Sequence, residues 1–235
     1  MSDWLWGIFE GIIISMIVYF IVTFIPIKEN TRYKATFYRR KISKFFANPR
    51  IEVSYTTKTE DLEDKNIRLD DFVSKIKEKM TQSNFAYQSD RGNASVFDYT
   101  LADTDVEIVL TPSYVFKGDE EEGELIVDHL QCDFRLKDCK YRNFKDHFLN
   151  LTQIFRKLEM TLEEEVGRWV GESLTCEVKR LYDFVGVLKD LEMSSLTGTM
   201  ADRYKIELSK NRLVVYGTIE TKMISMVKDI ITYYF

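Results

Sequence analysis

The run from Trp4 to Ile27, WLWGIFEGIIISMIVYFIVTFIPI, constrains this chain more than any other stretch. Its 24 positions hold a single ionisable residue, Glu10. About 20 apolar residues suffice for a helix to cross the hydrocarbon core of a bilayer, so the pattern predicts a transmembrane helix over 4–27. The next segment is strongly basic, with eight Lys or Arg against one Glu from Lys28 to Arg50. The positive-inside bias then predicts a single-pass protein of the cell membrane, N-terminus outside and the rest cytoplasmic. A cleaved signal peptide fits less well. MSDWLWG carries an acid where a basic region belongs, and FIPIKEN has no small-residue cleavage pair.

Gly7, Gly11 and Ser15 fall four apart, on one stripe of that expected helix. Small residues at this spacing let two helix backbones approach closely, which predicts helix–helix contact and a homo-oligomer. Glu10 lies beside the stripe as an intramembrane ionisable residue, either snorkelling to the outer interface or facing a polar path in a bundle. The basic segment 28–50 mixes its charges with aromatics. Tyr38, Ile42, Phe45 and Phe46 follow 3–4 spacing among Arg39, Arg40, Lys41 and Lys44. This predicts an amphipathic helix ending before Pro49, lying in the anionic headgroup layer of the bilayer or packed on the domain itself.

Residues 51–235 contain 25 basic and 35 acidic side chains, enough chain for a hydrophobic core and a charge that repels anionic surfaces. Three cysteines without close pairing argue against a disulfide framework. Two segments 112 residues apart align without gaps: Leu69-Asp70-Asp71-Phe72-Val73 with Ile76-Lys77-Glu78, and Leu181-Tyr182-Asp183-Phe184-Val185 with Leu188-Lys189-Asp190. Each has apolar residues at i, i+3, i+4 and i+7, follows an alternating strand and precedes several more. The expected fold is therefore α+β: the transmembrane helix, then a duplicated β-α-β(3-4)-α domain with helices on one face of a largely antiparallel sheet. The first repeat spans 51–160 and the second 173–235. A connecting helix over 161–172 opens on the capping pattern Thr161 to Glu164 and ends at Gly171. This element order resembles the tandem repeat of the TATA-binding-protein-like fold, and the resemblance implies that fold without bringing any functional residue.

Strand alternation assigns both faces of the sheet. The inward row holds Ile51, Val53, Tyr55, Val106, Ile108, Leu110, Leu130, Cys132, Phe134 and Leu136. Outward fall five acids (Glu52, Glu107, Asp133, Glu177, Glu207) and three bases (Arg135, Lys179, Lys205), with hydroxyls between. DNA-gripping sheets carry apolar wedges and basic residues; this face has neither, so nucleic acid is disfavoured. A protein partner or a small polar ligand suits it better.

Catalytic signatures are weak. His129, Cys132, Cys139 and His147 invite a zinc reading, but residues three apart on one strand point to opposite faces, and Cys132 belongs to the apolar row. Asp119 to Glu122 reads as a solvated hairpin loop, and Glu163 to Glu165 as charges on a helix. Asp71 and Asp183 are repeat-equivalent without forming an acid–base pair. No phosphate-cradling glycine loop or nucleophile elbow is present, so no catalytic residue, metal or cofactor is implied.

These features together predict a membrane-anchored cytosolic binding module that self-associates and takes a protein or small polar ligand. A second possibility is a ligand-gated effector whose sensor domain reorganises the membrane helices. Its layout resembles that of small membrane effectors in prokaryotic defence systems. A third is a membrane-tethered enzyme with its site between the repeats.

Overall fold

A computed structural model describes residues 29–118, 123–178, 195–200, 204–209, 212–217 and 221–234. Among them the fold is α+β, with four helices and a mostly antiparallel sheet. Helix α1 (Glu29–Ala47) leads into strand β1 (Ile51–Thr59), and a short 3-10 turn at Glu63–Lys65 precedes α2 (Leu69–Gln82). Four strands follow: β2 (Ala86–Arg91), β3 (Ala94–Leu101), β4 (Thr104–Lys117) and β5 (Glu124–Lys137). Helix α3 (Phe144–Val166) ends this first unit. The second contributes β6 (Trp169–Val178), β7 (Ser195–Met200), β8 (Tyr204–Ser209), β9 (Arg212–Tyr216) and α4 (Thr221–Tyr234).

The expected membrane-spanning fold is corrected at its N-terminal part. No helix among the described residues is long and apolar enough to cross a membrane, so no transmembrane helix is shown and the single-pass membrane character built on it is not supported. The first described helix, α1, is long but carries Arg32, Lys34, Arg39, Arg40, Lys41 and Lys44, charges that a spanning helix excludes. Segment 4–27, with the Gly7, Gly11 and Ser15 stripe and Glu10, lies outside the described residues. So does the expected second-repeat helix at 181–192.

Both units add their strands to one sheet, in the order β2-β3-β4-β5-β1-β6-β9-β8-β7. The seam between them is the antiparallel pairing of β1 with β6, in which Ile51 stands opposite Val178 and Tyr55 opposite Leu174. One face of the sheet is apolar because successive strand residues point to opposite sides. Val53, Tyr55, Ile108, Leu110, Cys132, Phe134 and Leu174 are all buried there. Phe72, Ile76 and Met80 of α2, Phe148, Leu151 and Leu158 of α3, and Met223, Ile224 and Val227 of α4 pack against them in one core. The described helices therefore cover a single face.

Helix α3 runs on through the region expected to hold a separate connecting helix. Thr161 is not an N-cap: its hydroxyl donates to the Lys157 carbonyl one turn back, in mid-helix. The chain leaves the helix at Gly167, whose φ of 68° lies in the left-handed region that glycine tolerates, and β6 starts two residues later.

Candidate functional site

The opposite face of the sheet holds a basin of about 590 Å³ across its centre. Strands from both units build it: β4 and β5 on one side, β1 and β6 in the middle, β9 on the other. Its floor is set by register. Glu107 pairs with Arg135, Arg135 with Ser54, Ser54 with Thr175, and Thr175 with Val214. A second row, one pleat away, places Lys137 opposite Asp105 and Arg212 opposite Glu177. Arg50, just ahead of β1, completes the rim.

The basin is basic although the chain is acidic overall. Arg50, Arg135, Lys137 and Arg212 line it against Glu52 and Glu107, in a chain of net charge −5. Several open-face acids are already engaged. Glu107 lies 3.3 Å from Arg135 through one oxygen and 3.3 Å from Arg91 through the other. Asp133 accepts from the Thr56 hydroxyl at 2.6 Å and from the Gln131 amide at 3.0 Å. Glu207 pairs with Lys205 at 2.8 Å and accepts from the Tyr216 hydroxyl at 3.3 Å. On the rim, Lys137 meets Asp98 at 2.7 Å, and Arg50 lies 4.0 Å from Asp138 with both side chains well exposed, a weak pairing.

Three of the four basin cations escape the expected outward set. Arg50, Lys137 and Arg212 sit at or just beyond strand ends. Carrying the two-residue alternation one step further along β1 and β5 places Arg50 and Lys137 on this face, whereas Arg212 comes to it only through its register opposite Glu177. Side-chain pairing ties acids to the basin cations themselves, Glu107 to Arg135, Asp98 to Lys137 and Asp138 to Arg50, so the lining is a set of ion pairs in which four cations face two acids.

The membrane-surface residues expected on α1 fall into two groups. Tyr38, Phe45 and Phe46 are 58%, 51% and 43% exposed, so the aromatic stripe is not the face that seats the helix. Arg39, Arg40 and Lys41 are exposed as well. Arg142 stacks its guanidinium 4.6 Å from the Phe45 ring and donates to the Phe45 carbonyl at 2.5 Å, tying the helix end to the loop before α3. Lys44, in contrast, is buried and donates to the carbonyls of Ile231 and Thr232 in the last turn of α4, the latter at 3.0 Å. A cation there complements the partial negative charge of a helix C-terminus. Burial, with Arg40 nearby, pulls the Lys44 amine down to about 7.

The four residues that invite a zinc reading are held apart. Cys132 is a core thiol, pushed well up by burial and then by Asp133. Cys139 is also buried, and its thiol rises to about 12 for the same first reason. His129 pairs with Asp128 at 2.7 Å, while His147 faces the Thr104 hydroxyl at 2.8 Å, which also accepts from Asn150 at 2.8 Å. Among the described residues no group of His, Cys, Asp or Glu is arranged to hold a metal ion. Asp71 lies in the first turn of α2; Asp183 and the acidic loop at 119–122 lie outside the described residues.

No protein-family model matches the chain, no curated protein matches it, and no solved structure matches it. The likeness in element order to the TATA-binding-protein-like fold therefore carries no functional argument.

Proposed function

We propose that this protein is a non-enzymatic binding module that takes a small polar ligand in the basin of its open sheet face. What supports this most is the concavity itself. About 590 Å³ lies on the face no described helix covers, at the seam where both units contribute side chains. Small-molecule sites commonly measure about 300–1,000 Å³ with a few convergent polar groups. Interfaces with proteins instead need a large patch with an apolar centre, and this lining is mostly charged or hydroxylated. It holds no histidine or cysteine among the described residues, and Glu107 is committed to two arginines, which leaves no evident nucleophile–base pair.

Ser54 stands mid-floor, so Ser54→Trp should fill the basin while leaving the apolar face intact. Native mass spectra of the full chain purified from cells, joined to a thermal-shift screen of polar metabolites, test the reading. The expected result is a ligand seen by either method on the parent chain and missing from the Ser54→Trp variant at equal folding. A ligand retained by Ser54→Trp, or a blank in both methods, would refute basin binding.

A further inference from the structure

We infer that the basin's ligand is a small sugar or polyol carrying two phosphate groups, one held at each side. This rests on the binding reading above and narrows it to a chemical class. On one bank Arg135 and Lys137 alternate along β5, both toward the basin, with Arg50 beside them at the start of β1. On the other bank Arg212 opens β9. Strands β1 and β6 lie between β5 and β9, so the banks are three strand spacings, or about 14 Å, apart along the backbone. Arginine reaches inward from each side, and its planar fork matches phosphate oxygens two at a time.

Glu107 acts here as a positioning residue. Its contact at 3.3 Å engages one nitrogen of Arg135 and fixes the guanidinium, leaving other N–H donors of the five for a ligand. The floor between the banks is built for hydroxyl groups: Ser54 and Thr175 can donate or accept, and Glu52 adds a carboxylate acceptor. No aromatic ring lines the basin among the described residues. A nucleobase would thus find no stacking platform, the contact that usually holds bases on protein surfaces. Long polyanions are opposed by the acidic remainder of the domain.

Calorimetric titration of the full chain with fructose 1,6-bisphosphate, fructose, AMP and a short single-stranded DNA tests the class. Micromolar binding of the bisphosphate is expected, with fructose and AMP weaker by about tenfold or more, as loss of charge-assisted hydrogen bonds implies. Arg135→Ala and Arg212→Ala should each weaken the bisphosphate about tenfold or more, Arg135→Lys by less, and Lys157→Ala on the helical side not at all. Urea midpoints of the variants separate lost binding from lost folding. Tighter binding of fructose, AMP or DNA, or no bisphosphate binding, would overturn the phosphate class. So would bisphosphate binding indifferent to both arginine changes. If Ser54→Trp still abolishes binding of another compound, the basin reading survives that failure; if bisphosphate binding ignores Ser54→Trp, both fall.

Discussion

At the scale of single residues, Lys44 is the most unusual side chain described. A lysine buried against two carbonyls is held in place by geometry, yet burial disfavours its charge and lowers its amine from 10.5 to about 7. In the unfolded chain it returns to the ordinary value. Between those two points the unfolded state binds the proton more tightly, so stability should rise with pH from about 7 toward 10 and level off below that window. Lys228, also lowered by burial and by Lys41, adds to the same slope. Urea unfolding of the Lys44→Met variant should show a visibly shallower rise over this range; an unchanged slope would mean that Lys44 titrates normally. Nothing in the sequence marks this residue. The 3–4 spacing of Tyr38, Ile42, Phe45 and Phe46 points to the other side of α1, because periodicity registers apolar stripes and misses a lysine that buries its own head. Cys132 was legible for the opposite reason: its neighbours in the alternating row are all apolar.

At the scale of elements, α2 and α3 are pinned by an ion cluster at the end of α3. The Glu165 carboxylate, 6% exposed, lies 2.6 Å from Lys75 and 3.0 Å from Lys79, and Lys79 also meets Glu164 at 2.5 Å. Burial pushes the Glu165 carboxyl up, but hydrogen bonds from Lys75 and Lys79 outweigh it and hold the group below its ordinary value. Its stabilising effect is therefore present above the unfolded value near 4.5 and lost as pH falls through the folded one. Because both lysines can return to water, Glu165→Gln should cost about 1–2 kcal/mol near neutral pH. The gap to the parent should close under acid conditions in a chemical-denaturation series. A pH-independent gap would assign the loss to packing. Helix α3 is longer than expected, since a capping pattern inside an apolar 3.6-residue period offers no reason to break the helix.

For the molecule as a whole, one core and one sheet join the two units, and this predicts one cooperative unfolding transition. Phe134→Ala in β5 and Leu213→Ala in β9 should each lose about 2–5 kcal/mol and move the same single midpoint by circular dichroism and by fluorescence. Two separable transitions would show that the β1–β6 seam does not couple the units. Two matching segments at 69–78 and 181–190 predict a duplication, the second of them outside the described residues, but no such pattern marks the seam. Which strand of one repeat meets which of the other depends on contacts more than 100 residues apart, and local periodicity carries no record of them. The basin inherits that opacity, since its residues converge through register across β4, β5, β1, β6 and β9.

A sheet assembled outward from a central pair has its least constrained strands at the rim. β2, the outermost strand of the first unit, is exposed along its whole length, carries Asp90 and Arg91, and shifts register between Tyr87 and Ser89, features that discourage another chain from extending the sheet. Insertions or deletions there disturb one neighbouring strand and the exposed Lys77–Asp90 pair, whereas a slip of one residue at β1–β6 would turn the basin's floor into the core. The chain should accept editing at its periphery, such as an epitope tag in the β2–β3 turn, and refuse it at its middle.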